Sequence, residues 1–191
     1  LEQIYAAVFL DAIHYKVRQE GAIVNKAAYM VIGIDLDGRK DVLGMWIGEH
    51  ETSKFWLVVL NELRNRGVQD ILICSVDNLK GFSEAIAACF PEAEIQKCVV
   101  HQIRNSVRYV SYKDVKRVLA NLRPVYTAAS EPLALEALEG FEAAWGSKYP
   151  LIVNSWKANW SELSTFFKYP PEIRKIIYTT NMIESYHGSV K

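Results

Sequence analysis

Apolar positions in the first hundred residues follow two periods in turn, one of two residues and one near three and a half. Residues 5–17 form a β-branched and aromatic run interrupted by one acid, Val8-Phe9-Leu10-Asp11-Ala12-Ile13, which predicts a strand with a charge in it. Further strands are predicted over residues 27–34 and 41–48, joined by a hairpin turn at Asp37-Gly38, so that three consecutive antiparallel strands result. Phe55, Val58, Val59, Leu60 and Leu63 then recur at helical spacing over residues 53–65, and Gly67 stands where a helix stop belongs. A short apolar run, Ile71-Leu72-Ile73-Cys74, predicts a strand over residues 70–77. Residues 81–90 read as a helix ended by Pro91, residues 94–100 as a strand, and residues 102–109 as a basic helix.

The order βββαβαβα describes an α/β fold with a mixed sheet. From residue 113 to 167 the strand signals vanish and Ala, Leu, Glu and Trp dominate, which predicts an all-helical insertion. Pro170-Pro171 breaks it, and Thr179-Thr180-Asn181 starts a final helix. The expected division is a first part of the core over residues 1–112, the helical insertion over 113–175 and a final helix, cut short, over 176–191.

With 191 residues, 50% of them apolar, the chain can bury one sizeable core. Lys plus Arg and Asp plus Glu both total 22, so the net charge is zero and any nucleic-acid contact has to come from local basic patches. Cys74, Cys89 and Cys98 do not make a disulfide framework, which favours a reducing, intracellular setting. No apolar run approaches the roughly 18 residues of a membrane span, and the N-terminus lacks the layout of a signal peptide, so no membrane partner is expected. The chain opens on Leu1-Glu2 and stops at Lys191 just past a helix start; it is expected to be a fragment of a longer protein.

Three acids stand out. An ionised Asp inside a strand core costs several kcal/mol unless it is paired or bound to a cation. Asp11 therefore either pairs with a cation such as Lys16 or Arg18, lies on a solvated face, or binds metal. Asp77 ends the strand over residues 70–77, where loops expose functional groups to ligand, although a turn or capping Asp is the commoner use of that place. Glu184 follows Asn181 by three residues, which suits a helix-start capping pair or a carboxylate aimed at metal. Three carboxylates from separate segments can position two magnesium ions, with manganese as substitute, for in-line attack on a phosphate. Neither a lysine-bearing phosphate loop nor Ser/His/Asp spacing is present.

Cys98-Val99-Val100-His101 has the spacing of half a zinc site, but structural zinc takes four ligands and no second pair is spaced to complete it. His14, His50 and His187 carry no specific signal. Arg104 and Arg108 share a helical face, with Lys113, Lys116 and Arg117 beyond; they line a phosphate path or simply a solvated face. Trp145, Trp156 and Trp160 suit core packing, and an exposed one could stack on an unpaired base.

Taken together these segments resemble the mutator-type insertion-sequence transposase family over residues 10–185. The strings that carry the likeness are Leu10-Asp11-Ala12 with Lys16-Val17-Arg18, Leu43-Gly44-Met45-Trp46, Asn61-Glu62-Leu63-Arg64-Asn65-Arg66-Gly67 and Val76-Asp77-Asn78-Leu79-Lys80-Gly81-Phe82. Cys98-Val99-Val100-His101-Gln102-Ile103-Arg104-Asn105-Ser106 and Tyr178-Thr179-Thr180-Asn181-Met182-Ile183-Glu184-Ser185 complete the set. The resemblance implies a ribonuclease H-like fold with a helical insertion before the last acid, and an Asp-Asp-Glu site for two Mg2+ ions at Asp11, Asp77 and Glu184. Cys98 and His101 match its Cys-x-x-His signature and Trp160 its insertion tryptophan, while Lys80, Arg104, Arg108 and Trp160 become candidate DNA contacts. It also implies DNA cleavage and strand transfer at transposon ends, a homodimer in the full-length protein, and a cytoplasmic, nucleoid-associated setting. Two alternatives remain: an inactive relic that only binds DNA, and a ribonuclease H-like nuclease specific for nucleic-acid structure. After Glu184 the family runs on through an Asn-Arg pair, whereas this chain reads Ser185-Tyr186-His187-Gly188, and the family's amino-terminal DNA-binding region is expected to be absent from these 191 residues.

Overall fold

The computed structural model describes residues 1–48 and 52–177, which fall into two compact units, residues 1–95 and 96–177. The first unit carries β1 (Ile4–Gln19), β2 (Ala22–Asp35), β3 (Lys40–Gly48), α1 (Ser53–Asn65), β4 (Asp70–Val76), α2 (Phe82–Cys89) and the start of β5 (Glu94–Lys97). Strands lie in the order β3-β2-β1-β4-β5, with β1–β2 and β2–β3 antiparallel and β4 parallel to β1. This mixed sheet, with its element order βββαβαβα, is the ribonuclease H-like arrangement that the resemblance implies.

Local chemistry explains the hairpins. Glu20 at φ 51° and Gly21 at φ 81° form a two-residue loop with both centres left-handed, the turn whose twist suits a β-hairpin. Strands β1 and β2 consequently run to Gln19 and from Ala22, past the expected limits at 17 and 27. At the second turn the Asp35 carboxylate accepts the N–H groups of Asp37 at 2.9 Å and Arg39 at 2.8 Å. The β2–β3 register shifts between Val31 and Ile32, where a bulge interrupts the ladder.

Helix α1 begins where Thr52 accepts the Phe55 N–H at 3.2 Å and ends in a Schellman motif, Val68 N–H donating to Leu63 O and Gly67 N–H to Arg64 O. Its buried stripe of Trp56, Val59, Leu60 and Leu63 packs with Phe82, Ile86 and Phe90 against Val8, Leu10, Tyr29, Val31, Cys74 and Val76 of the sheet. Burial pushes the Cys74 thiol up to about 12 and raises that of Cys89, so neither offers a ready thiolate.

The expected strand over residues 94–100 is corrected at its end: β5 stops at Lys97, Cys98 is the N-cap of α3 (Val99–Val107), and Val99 packs as a helical core residue. Tertiary burial overrides the strand preference of the Val99-Val100 pair. Every later element among the described residues is helical: α4 (Tyr112–Thr127), α5 (Glu131–Trp145), α6 (Pro150–Ala158), α7 (Trp160–Leu163), a 3-10 turn and α8 (Pro171–Ile177). Buried polar groups in this unit are well connected. Gln96 donates to Leu163 O and accepts from Phe166 N–H, while Trp156 Nε1 donates to Ser106 Oγ at 2.8 Å and Gln102 Nε2 to Ser155 Oγ at 2.9 Å. No helix among the described residues is long and apolar enough to cross a membrane.

Asp114, 6% exposed, accepts from Lys148 Nζ and from the Tyr149 hydroxyl, each at 2.6 Å. The Lys148 bond first, then that from Tyr149, holds the Asp114 carboxyl below the usual carboxylate range, and the same contacts raise Lys148 and Tyr149. An acid depressed in the folded state contributes stability that is complete above its unfolded value of about 3.9 and is lost as pH falls through the folded value. Thermal melts followed by circular dichroism should therefore fall in midpoint below about pH 4. Asp114→Asn should flatten that acid limb; an unchanged limb would assign it to other carboxylates.

Candidate active site

Leu10 of β1 and Val76 of β4 form the last pair of the parallel ladder, and Asp11 and Asp77 are the next residue on each chain. Neighbouring strands lie about 4.8 Å apart, so the two residues follow the last pair on adjacent chains at one end of the ladder. Asp11 still pairs with Met30 of β2 on its other side, is 6% exposed, and its Oδ1 accepts the Ala12 N–H at 2.8 Å. Alternation along β1 puts Leu10 into the aromatic core and turns Asp11 to the opposite face. Asp77 is half-buried, and its carbonyl accepts from Leu79 N–H, starting the turn that leads through exposed Lys80 to α2.

Two oxygen donors, one within β1 and one just past β4, could take part in holding a divalent cation. Glu184, the predicted final helix, His50 and His187 lie outside the described residues, as does the His14 side chain.

Cys98 and His101 belong to the second unit. The thiol and a ring nitrogen lie within 4.8 Å, Cys98 being buried at the head of α3 and His101 half-buried one turn on. Arg104 is exposed further along α3 and Arg108 at its C-cap, with the Arg108 guanidinium 5.5 Å from the centre of the Tyr109 ring. Trp160 opens α7, half-buried, and its Nε1 donates to Glu131 Oε1 at 3.0 Å. Trp145 and Trp156 are core residues. Sequence reasoning named Lys16 and Arg18 but missed the length of the β1–β2 hairpin that carries them; the signal that could have revealed it was Glu20-Gly21, a two-residue turn between alternating residues.

The family model "Transposase, Mutator family" matches residues 1–191. The transposase for insertion sequence element ISRM3 of Rhizobium meliloti (strain 1021) is 50% identical over 192 residues, covering 100% of this chain and 48% of that protein. A probable insertion-sequence transposase of Corynebacterium diphtheriae is 45% identical over 192 residues, covering 100% of this chain and 56% of that protein. The chain thus spans about half the length of these relatives. Among solved structures, the HTLV-2 integrase catalytic core domain in complex with magnesium aligns at 13% identity and a TM-score of 0.35, over 81% of this chain and 85% of that one. With the family model matched along its whole length and relatives at up to 50% identity, the chain belongs to the Mutator family of transposases.

Proposed function

We propose that this chain is the catalytic domain of a DNA transposase that cleaves DNA at transposon ends and joins it to a target, with Asp11, Asp77 and Glu184 holding two Mg2+ ions. The observation that carries the reading is the side-by-side placement of Asp11 and Asp77 beyond the last β1–β4 pair. Names of the relatives, transposases for insertion sequence elements, support the substrate class. Divalent cations bound there would supply the positive charge that activates a nucleophile and stabilises the leaving oxygen.

The chain's own part is positioning. β1 is anchored by pairing to both neighbours up to Leu10, and the Ala12 N–H fixes one Asp11 oxygen, so little reorganisation is needed when phosphate arrives. Lys80, Arg104 and Arg108 carry phosphate contacts and Trp160 stacks on a base. Residues 113–175 serve as a helical insertion before the final helix over 176–191. Joining two ends calls for a homodimer of the full-length protein, acting on DNA in the cytoplasm.

Crystals soaked in manganese test the metal reading without DNA. An anomalous peak beside both Asp11 and Asp77, lost in Asp11→Asn, is the expected outcome. Manganese bound only elsewhere, and unaffected by Asp11→Asn, would sink it.

A further inference from the structure

Asp11 is not the end of β1. β4 leaves β1 after the Leu10–Val76 pair and β3 leaves β2 at the Ala27–Gly48 pair, yet β1 and β2 stay paired to Gln19–Ala22. Residues 15–26 therefore form a two-stranded ribbon with no third strand on either side among the described residues. It leaves the sheet at the end where Asp11 and Asp77 stand.

Its chemistry differs from that of the chain as a whole. Lys16, Arg18 and Lys26 face one acid, Glu20, whereas the full chain balances 22 cations against 22 acids. Lys16 and Arg18 alternate to one face, where their cross-strand partners are Asn25 and Ile23, and Lys26 sits opposite Tyr15 on the other. Lys16 and Arg18 are exposed, Ile23 is 71% exposed, and a concavity of about 520 Å³ is lined by Lys16, Val17, Arg18, Gly21 and Ile23. A ribbon of two strands is marginal in water by itself. Its cations make an apolar partner costly and a polyanion favourable, because an apolar surface would have to desolvate Lys16 and Arg18.

We propose that this ribbon is a DNA-docking arm that seats against the backbone of the duplex being cut, in the major groove, whose width of about 12 Å admits a two-stranded β-ribbon. The proposal rests on the transposase reading above and adds a contact and a register to it. Lys16 and Arg18 lie five and seven residues beyond Asp11. At about 3.4 Å per residue they reach roughly 17 and 24 Å past the carboxylates. With about 3.4 Å between successive phosphates along the duplex axis, the contacted phosphates lie about five to seven base pairs from the cleaved one.

The test uses the full-length protein without divalent metal, so that it is independent of the carboxylates. Lys16→Gln/Arg18→Gln/Lys26→Gln should weaken duplex binding roughly 10²-fold at 0.1 M salt and lower the slope of log affinity against log salt by about two to three, each phosphate contact contributing about 0.9. The charge-keeping variant Lys16→Arg/Arg18→Lys/Lys26→Arg should restore both. Ile23→Cys should cross-link best to thiol-tethered phosphates about five to seven base pairs from the cut. An unchanged slope in the glutamine variant overturns the arm, as does cross-linking confined to phosphates beside the cut. If the glutamine variant instead loses self-association at unchanged DNA affinity, the ribbon holds a second copy and the DNA proposal fails. Should the parent bind no duplex at any salt, the transposase reading falls together with the arm; parental binding with an unchanged slope removes the arm alone.

Discussion

Asp77→Asn in the full-length protein is expected to lower DNA cleavage on the order of 10³-fold or more, equivalent to about 4 kcal/mol of barrier. The amide keeps the shape of the side chain and removes its negative charge, so the hold on a cation proposed for Asp77 is lost without a packing defect. Asp77 is half-buried in the turn after β4, outside the aromatic core, and the melting temperature should stay close to that of the parent. Duplex binding without metal should be no weaker, since the substitution takes a negative charge away from the end of the sheet proposed to meet DNA. Gel assays of end cleavage and of strand transfer read the effect. Cleavage within a few-fold of the parent would remove Asp77 from the reaction.

Trp56→Ala should cost about 3–5 kcal/mol of stability, a large share of the 5–15 kcal/mol typical of a domain. The indole is fully buried, stacked on Phe82 at 4.9 Å and edge-on to Tyr29 at 5.4 Å, so one side chain joins α1, β2 and α2. Phe82 opens α2 directly after the loop that begins at Asp77, and a cavity at Trp56 therefore also loosens the support of that loop. Urea unfolding monitored by circular dichroism measures the loss. A change below about 1 kcal/mol would mean that the aromatic cluster collapses to fill the space.

Local order was legible where local chemistry decides it. Helix α1 runs over residues 53–65 as expected, because an apolar stripe at helical spacing sits between a Thr52 cap and a Gly67 stop. The β1–β2 hairpin is longer than its pattern predicts, since Ala22, Asn25 and Lys26 break the apolar alternation and Glu20-Gly21 is a weaker turn signal than Asn-Gly or Asp-Gly. The strand predicted over 94–100 is shorter in the structure, since Val99 and Val100 suit either period until burial chooses between them. At the candidate site, the strand placement of Asp11 and Asp77 followed from pattern. Their adjacency required the pairing of β1 with β4, 66 positions away, which no local periodicity encodes and only the family resemblance supplied. The Asp114–Lys148–Tyr149 cluster has no local signature for the same reason, being assembled from α4 and the loop before α6.

The bulge between Val31 and Ile32 has a bearing on how copies of this chain meet. Among the described residues β3 is the outermost strand on its side of the sheet, and Met45 and Ile47 on it are 60% and 65% exposed. An evenly spaced open edge with that much apolar surface would invite another strand to zip onto it. By offsetting the ladder just before Gly44, the bulge spoils the regular alternation of donors and acceptors along β3, and Lys40 with Asp41 adds charge at its start. The same irregularity that shapes the sheet thus acts as a guard against fibre-like growth. Any pairing of subunits for a two-ended reaction is better sought on faces other than this edge.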